Sequence, residues 1–220
     1  MKPLLVVLSA PSGGGKTTIA QALLRMRRDV GYSVSATTRK PRADEKNGDA
    51  YHFLSREQFA RRRARGDFLE SAEYAGEWYG TLKSEVERVR AAGRHVVLDI
   101  EVEGARQVRR AYPPPASVSI FILPPSVPVL LARLEVRKSE SKGAIKRRLQ
   151  RAVEELREAP AYDYVIVNAD LNAAVRRVSR ILDGDAGFPR RPTDFERRLE
   201  TLARDLARAA ADPARLKERA

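Results

Sequence analysis

The stretch LLVVLSAPSGGGKTT at positions 4–18 constrains the fold of this chain more than any other part of its sequence. Its first six residues, Leu4–Ser9, are nearly all apolar and predict a β-strand that is buried on both faces. The pattern that follows, Thr17–Arg28, predicts an amphipathic helix. The turn in between nearly matches the phosphate-binding loop G-x-x-x-x-G-K-[ST], with Ala10 where the first glycine is expected. This order predicts a phosphate site at the N-terminus of the helix.

The residues of this loop have the chemistry of a nucleoside triphosphate site. Glycines leave the backbone N–H groups accessible to phosphate oxygens, while Lys16 would reach the β- and γ-phosphates and Thr17 would bind Mg²⁺. The alternative is a glycine-rich turn that contains G-K-T by chance, and the strand and helix beside it disfavour that interpretation. We therefore predict an ATP-binding run of residues: Ala10, Pro11, Ser12, Gly13, Gly14, Gly15, Lys16, Thr17 and Thr18.

Strands and helices alternate along the chain, which is typical of an α/β fold with a parallel sheet and helices on both faces. The other predicted elements are the strands His95–Ile100, Val118–Leu123 and Tyr164–Asn168 and the helices Ser84–Ala92, Ile145–Glu158 and Leu171–Leu182. Ser84 would open its helix as part of an S-E-V-E capping box. The core is expected to comprise residues 1–33, 83–125 and 159–184.

Two segments, residues 34–82 and 126–158, interrupt this alternation. The sequence of the first segment predicts short strands and turns around one helix. This helix starts at Arg56 and is capped by Ser55 and Gln58. The second is charged and helical, with a break near Ser139–Gly143. We predict that both segments are inserts in the α/β core.

The net charge of +13 is concentrated in two segments, residues 25–66 and 126–158, which overlap or coincide with these inserts. Residues 25–66 contain 12 Lys and Arg against 5 Asp and Glu, and residues 126–158 contain 9 against 5. Two basic segments beside a phosphate loop suit a site that binds several phosphates, although an arginine-rich solvated surface is the alternative. The absence of cysteine excludes disulfides and a cysteine nucleophile. No signal peptide or membrane span is evident.

Residues 185–220 form a C-terminal extension with a pattern of its own. After the linker FPRRPT, Thr193 and Glu196 match a capping box. An apolar stripe follows at Phe195, Leu199, Leu202 and Leu206. This helix could pack on the core, dimerise or stay detached, and packing on the core is our prediction.

Four further motifs lie in order between the phosphate loop and residue 105: SVSATTRKPR, NGDAYHF, DFLESAEYAGEWYGT and LDIEVEGA. With these motifs the chain resembles the bacterial guanylate kinases, a family of nucleoside monophosphate kinases, over about residues 3–184. The resemblance implies a phosphate-loop kinase core, a mixed, β-rich GMP-binding insert at residues 34–82 and a helical lid at residues 126–158. Alanine commonly opens the phosphate loop in that family, so Ala10 is not a defect by that comparison.

The resemblance implies that Arg39, Arg42, Tyr51 and Tyr79 hold the 5′-phosphate of GMP. The residue chemistry agrees, because two guanidinium groups can make charge-assisted, bidentate hydrogen bonds to one phosphate, and phenols can add O–H donors. Ordinary surface charge is the alternative for the two arginines.

Glu70 lies among apolar residues in the motif FLES, where a carboxylate needs hydrogen-bond donors. Guanine offers N1–H and a 2-amino group, both of which adenine lacks, so a single glutamate can select guanine. The resemblance assigns this role to Glu70, for which an exposed glutamate is the alternative. It also implies further GMP-binding residues: Ser35, Gly80, Thr81, Asp99 and Glu101. Asp99 lies at the end of a predicted strand and is expected to bind Mg²⁺ together with Thr17.

By the same resemblance, Arg133, Arg137 and Arg148 belong to a lid that closes over ATP and neutralises charge on the transferred phosphoryl group. Together with Lys16 and Arg39 they form the predicted catalytic set. Asn168 matches a family position near the adenine of ATP. The chain departs from the family pattern at several positions: Glu101, Glu103, Lys138, Lys142 and Gly143.

The resemblance therefore implies transfer of the γ-phosphoryl group of MgATP to GMP or dGMP, in guanine nucleotide biosynthesis and salvage in the cytoplasm. Because the acceptor is already a phosphate anion, positioning and charge neutralisation can carry the reaction without a general base. The expected partners are ATP and GMP, with Mg²⁺ accompanying ATP, and neither nucleic acid nor a membrane. The oligomeric state is left open.

The same residues disfavour three other functions. A non-catalytic interaction domain of the same fold would not need an intact phosphate loop with Lys16 and Thr17. A kinase for another phosphorylated acceptor would not need Glu70. A basic nucleic-acid-binding protein is disfavoured because the basic segments lack interleaved aromatic residues.

Overall fold

Strands and helices alternate along the chain, of which the structure, a computed structural model, describes residues 2–43, 45–135, 142–185 and 187–211. The strands are β1 (Leu5–Ser9), β2 (Val30–Tyr32), β3 (Ser35–Thr37), β4 (His52–Phe53), β5 (Phe68–Tyr74), β6 (Glu77–Leu82), β7 (His95–Asp99), β8 (Ser117–Leu123) and β9 (Tyr164–Val167). The helices are α1 (Lys16–Met26), α2 (Arg56–Ala64), α3 (Lys83–Ala91), α4 (Val102–Ala111), α5 (Val127–Glu135), α6 (Lys142–Leu156), α7 (Leu171–Leu182) and α8 (Phe195–Ala211). Within these described ranges, no helix is long and apolar enough to cross a membrane.

The larger sheet has five strands in the order β2-β7-β1-β8-β9. β2 pairs in parallel with β7, and β8 pairs in parallel with β9. The side chains of Leu5 through Leu8 in β1 are fully buried, as expected for a strand that is covered on both faces. The predicted α/β class with a parallel sheet is confirmed. The first and last residues of the four predicted core strands lie within one residue of those observed for β1, β7, β8 and β9.

Residues 34–82 contain a second, four-stranded sheet in the order β4-β3-β6-β5. β6 is antiparallel to both of its neighbours, and its pairing with β5 shifts register between Phe68 and Glu70. Helix α2 covers this sheet through Phe59, whose ring stacks on Phe68 with 4.4 Å between centroids. This segment has the short strands, turns and single helix that the sequence predicts.

Residue contacts divide the chain into two compact units, Met1–Val7 with Leu24–Val118 and Leu8–Leu23 with Ser119–Ala220. The first unit contains the four-stranded sheet with α3 and α4, and the second contains the phosphate loop with α5 to α8. Helix α8 packs mainly on α6 and also on α5, so it does pack on the rest of the chain, but against helices of the predicted lid. The predicted break near Ser139–Gly143 lies largely on residues 136–141, outside the described residues.

The helix N-termini test three predicted capping boxes. The box at α2 is confirmed: the Gln58 N–H donates to Ser55 Oγ, and the Ser55 N–H donates to Gln58 Oε1. The box at Ser84 is wrong, because β6 runs directly into α3 and Leu82 takes the capping position without a side-chain bond. Helix α8 begins at Phe195, and Asp194 precedes it where Thr193 was expected to be the cap.

Candidate active site

The phosphate loop connects β1 to α1 in the second unit. Gly13 and Gly15 have φ angles of 86° and 94°, a conformation that side chains other than glycine rarely adopt. The Gly14 N–H donates to the Pro11 carbonyl oxygen at 2.7 Å, and the Ile19 N–H donates to Gly15 at 3.0 Å. The loop thus turns tightly and continues into the first turn of α1.

Ala10 stands at the position where the motif has its first glycine. Among the described residues other than glycine, Ala75 alone has a positive φ, so the backbone of Ala10 is unstrained. A Cβ placed on Gly14 would lie 2.7 Å from the Ala10 Cβ and 2.9 Å from the Pro11 carbonyl oxygen. The methyl group of Ala10 therefore occupies space that a side chain at position 14 would need.

Side chains from three elements of the second unit hold this loop. Glu155 of α6 is buried, and its Oε2 accepts a hydrogen bond from the Ser12 N–H at 3.0 Å. Asn168, which follows β9, donates from Nδ2 to the Gly14 carbonyl oxygen at 2.9 Å. Arg133 of α5 donates to the carbonyl oxygens of Gly14 and Asn168 at 3.4 and 3.1 Å. Arg133 and Asn168 thus contact the loop backbone directly, and whether Asn168 also lies near adenine stays a prediction.

The remaining predicted donor-side residues lie on helices. Lys16, Thr17 and Thr18 form the start of α1, where Lys16 is half-buried and both threonines are exposed. Arg148 is half-buried on α6, two helical turns before Glu155. Arg137 and Lys138 lie outside the described residues.

In the first unit, Arg39 and Arg42 share one carboxylate. Arg39 donates from Nη1 and Nη2 to the two oxygens of Glu45, both at 2.9 Å. The Arg42 N–H donates to Glu45 Oε2 at 2.8 Å, and Arg42 Nη1 lies 3.6 Å from Oε1. This pairing lowers the pKa of the Glu45 carboxyl and raises the pKa of Arg39, so both groups are charged at neutral pH.

Aromatic rings surround the same guanidinium group. The Cζ atom of Arg39 lies 5.4 Å from the ring centroid of Tyr51 and 5.7 Å from that of Phe53. The rings of Tyr51 and Tyr79 meet edge to face with 5.9 Å between centroids, and Tyr79 also contributes to the raised pKa of Arg39. The residues that the sequence predicts to hold the GMP phosphate are therefore neighbours.

Glu70 lies on β5 with a relative exposure of 6%. The Thr81 hydroxyl donates to Glu70 Oε1 at 2.7 Å. Burial raises the pKa of Glu70 to about 7, the bond from Thr81 opposes this shift, and the charge of Glu101 adds to it. In the strand register Thr81 is the partner of both Glu70 and Ser35, so the structure places the three predicted base-reading residues together. Gly80 precedes Thr81 on β6.

The two predicted acidic residues near the C-terminal end of β7 have different positions. Asp99 is the last residue of β7 and is half-buried. Glu101 precedes the first residue of α4 and lies close enough to Glu70 for its charge to raise the pKa of that carboxyl. Glu103, in the first turn of α4, accepts a hydrogen bond from Arg106 at 2.8 Å on the surface.

Glu45 and Glu155 are two site residues that the sequence reasoning missed. The only sequence signal for Glu45 is a carboxylate placed three and six residues after the two arginines, close enough along the chain to pair with them. Glu155 is an acid in the apolar pattern of α6, beside buried Leu149, Ala152 and Leu156. Buried acids of this kind need a partner, which here is the N–H of Ser12.

Comparisons with known proteins identify the family of this chain. A family model described as guanylate kinase matches residues 2–185. The chain belongs to the guanylate kinase family. It is 48% identical over 180 residues to a guanylate kinase of Trichormus variabilis, covering 82% of this chain and 89% of that protein. It is 48% identical over 181 residues to one from Symbiobacterium thermophilum, covering 82% and 85%.

A crystal structure of guanylate kinase from Anaplasma phagocytophilum matches the fold with a TM-score of 0.68 at 34% identity. The match covers 90% of this chain and 93% of that one. The residues that match the guanylate kinase family model include the phosphate loop, the four-stranded sheet and the helices α5 and α6. Helix α8 begins at Phe195, after the last residue that matches that model.

Proposed function

We propose that the protein transfers the γ-phosphoryl group of MgATP to GMP, and to dGMP, giving ADP and GDP or dGDP. The observation that carries the acceptor assignment is the buried Glu70, which lies beside Thr81 in a chain of the guanylate kinase family. A carboxylate with two oxygens matches the N1–H and 2-amino donors of guanine. Adenine lacks this donor pair, and Glu70 would be left without partners from the base.

The residue roles are proposed from the family resemblance, together with the positions of those side chains that the structure describes. On the acceptor side, Arg39, Arg42, Tyr51 and Tyr79 are proposed to bind the phosphate, and Ser35 to assist Glu70. The other GMP contacts are proposed for Gly80, Thr81, Asp99 and Glu101. On the donor side, residues 10–18 and Asn168 are proposed to bind ATP, while Lys16 and three arginines neutralise charge on the transferred group: Arg133, Arg137 and Arg148.

Mg²⁺ is the metal that suits the oxygen atoms offered by Thr17 and Asp99. Thr17 is an exposed residue in the first turn of α1, and Asp99 is the half-buried last residue of β7. Mg²⁺ binds through few protein oxygens because phosphates and water complete its coordination. When bound with ATP, it would supply charge neutralisation at the phosphates.

The chain is proposed to divide by function into four parts. The phosphate-loop core is formed by residues 1–33, 83–125 and 159–184, the GMP-binding insert by residues 34–82, the lid by residues 126–158 and the C-terminal extension by residues 185–220. The four-stranded sheet supports the insert, and the helices α5 and α6 support the lid. The cytoplasm is the proposed location, because both substrates are cytoplasmic nucleotides.

The test is an ADP-coupled assay with MgATP and a panel of acceptors, namely GMP, dGMP, AMP, CMP and UMP. We expect turnover with GMP and dGMP and little with the other three. Lys16→Ala should nearly abolish turnover. Lys83→Ala is the matched control, because Lys83 is likewise the first residue of a helix and is exposed. The proposal is rejected if no GMP-dependent ADP forms, or if Lys16→Ala stays active.

A further inference from the structure

Helix α4 contacts the edge of β5 through the side-chain amide of Gln107. The Ser71 N–H donates to Gln107 Oε1 at 3.2 Å, and Gln107 Nε2 donates to the Ser71 carbonyl oxygen at 3.0 Å. β5 is an end strand of its sheet, and the outer edge of such a strand presents backbone groups that need partners. At Ser71 the amide of Gln107 therefore acts like the peptide group of a neighbouring strand.

This contact lies beside the carboxylate that we propose reads guanine. Ser71 follows Glu70 directly, and the β5–β6 pairing shifts register between Phe68 and Glu70. Such an irregularity bends a strand and changes the direction of its side chains. The bonds to Gln107 fix the backbone immediately after it, so they help to set the direction in which Glu70 points.

The same face of α4 also leaves room for the Glu70 carboxylate. Gly104 lies three residues before Gln107, and residues at this spacing share a helix face. A Cβ placed on Gly104 would lie 2.2 Å from Glu70 Oε2. Glu70 thus has Thr81 on one oxygen and Gly104 against the other, while Gln107 holds the backbone that carries it.

We propose that Gln107 is a positioning residue that sets the guanine selectivity of this protein. Its two hydrogen bonds to Ser71 hold Glu70 where both carboxylate oxygens can accept from the base. The inference rests on the proposed function, because it takes Glu70 as the group that reads guanine. A displacement of about 1 Å at a binding group can lower a rate by about a hundredfold, so this contact affects kinetics without touching substrate.

The test compares GMP with IMP, which differs only by lacking the 2-amino group. Gln107→Leu removes the amide and keeps most of the volume. We expect kcat/KM for GMP to fall about tenfold or more, mainly through KM, with a lower GMP-to-IMP ratio and an unchanged KM for ATP. Gln107→Glu keeps the acceptor for the Ser71 N–H but loses the donor, so its effect should be intermediate and in the same direction.

Arg106→Ala is the matched control, because Arg106 is the neighbouring residue on α4 and its side chain is about half exposed. It should leave the GMP-to-IMP ratio unchanged. The inference is overturned if Gln107→Leu lowers the melting temperature but leaves the KM for GMP and that ratio unchanged. If Gln107→Leu does not fold, the same readouts on Gln107→Glu decide the question.

Glu70→Gln, measured in parallel, separates two kinds of failure. If it leaves the selectivity unchanged, the base-reading role in the proposed function is wrong. If it lowers the selectivity while the Gln107 variants do not, the proposed function stands and only the positioning role of Gln107 is wrong.

Discussion

GMP should bind more weakly as the pH falls from 8 to 6, because Glu70 must be ionised to accept two hydrogen bonds from guanine. Burial raises the pKa of this carboxyl to about 7, and the charge of Glu101 pushes it the same way. A protonated carboxyl group carries an O–H donor on one oxygen, which faces an N–H of guanine unfavourably. The protonated form therefore binds the base poorly.

The expected size follows from the raised pKa. With a pKa of about 7, roughly nine-tenths of the unliganded protein carries the carboxylate at pH 8 and roughly one-tenth at pH 6. If only the ionised form binds GMP, the apparent Kd rises about tenfold over this range, or about 1.4 kcal/mol. Linkage requires that binding at pH 6 then releases close to one proton from Glu70.

Isothermal titration calorimetry between pH 6 and 8, in buffers of different ionisation enthalpy, measures both the Kd and the released proton. The phosphate of GMP itself titrates near pH 6, which adds a pH dependence that does not come from the protein. Glu70→Gln is the control, because it removes the carboxyl and keeps the phosphate contribution. If the wild type and Glu70→Gln show the same dependence of Kd on pH, the reasoning about Glu70 is refuted.

Three further predictions concern Glu70, Glu155 and the turn at Ala75. Because the pKa of Glu70 is raised in the folded state, the stabilising contribution of this carboxyl is present below pH 4.5 and is lost as the pH rises to about 7. The unfolding free energies of wild type and Glu70→Gln, measured in urea, should therefore diverge by up to about 3 kcal/mol between these pH values. Parallel pH dependences of the two proteins would contradict this. Glu155→Ala leaves the Ser12 N–H without its acceptor, so it should lower the unfolding free energy by about 1–3 kcal/mol and raise the KM for ATP more than that for GMP. Ala75 and Gly76 form the β5–β6 turn with φ angles of 56° and 83°, so Ala75→Asn should raise the unfolding free energy by about 1 kcal/mol, and a loss of stability in urea would count against this turn geometry.

The phosphate loop and the parallel sheet could be predicted because local sequence determines them. β1 is a continuous apolar run, and Gly13 and Gly15 of the loop have the positive φ angles that glycine adopts readily. Glu70 could be singled out from sequence because a carboxylate flanked by apolar residues signals burial. In each case the information lies within a few consecutive residues.

Two elements were not predicted, β2 and α4. β2 has only three residues, Val30–Tyr32, which is too short for a periodic pattern to stand out. Helix α4 has Gly104 in its first turn, and because glycine has a low helix propensity, the local sequence does not single out this helix. The capping box at Ser84 is wrong because β6 continues directly into α3, which already begins at Lys83. The Lys83 N–H donates to the carbonyl oxygen of Asp67, a tertiary contact that local sequence does not reveal.

Partnerships between distant residues could not be predicted from sequence. Glu155 and Ser12 are 143 positions apart, and Gln107 and Ser71 are 36 apart. A polar side chain on a helix shows no sequence feature that identifies the backbone group it will meet. Such contacts become visible only when packing brings the two elements together, and they decide how the side chains of the site are oriented.

Glu45 places a negative charge between two arginines that are proposed to bind phosphate. Its carboxylate repels the phosphate that Arg39 should attract, so its presence needs an electrostatic explanation. Arg39 and Arg42 together outweigh the single charge of Glu45, so the cluster remains cationic. In return, Glu45 and the Tyr51 ring hold the guanidinium of Arg39 in place before substrate arrives. Ordering a free arginine side chain on binding would cost about 0.5–1.5 kcal/mol. Glu45 therefore weakens the attraction of the cluster for phosphate but orients the guanidinium of Arg39. Orientation matters more, because the transfer depends on aligning the acceptor phosphate with the donor.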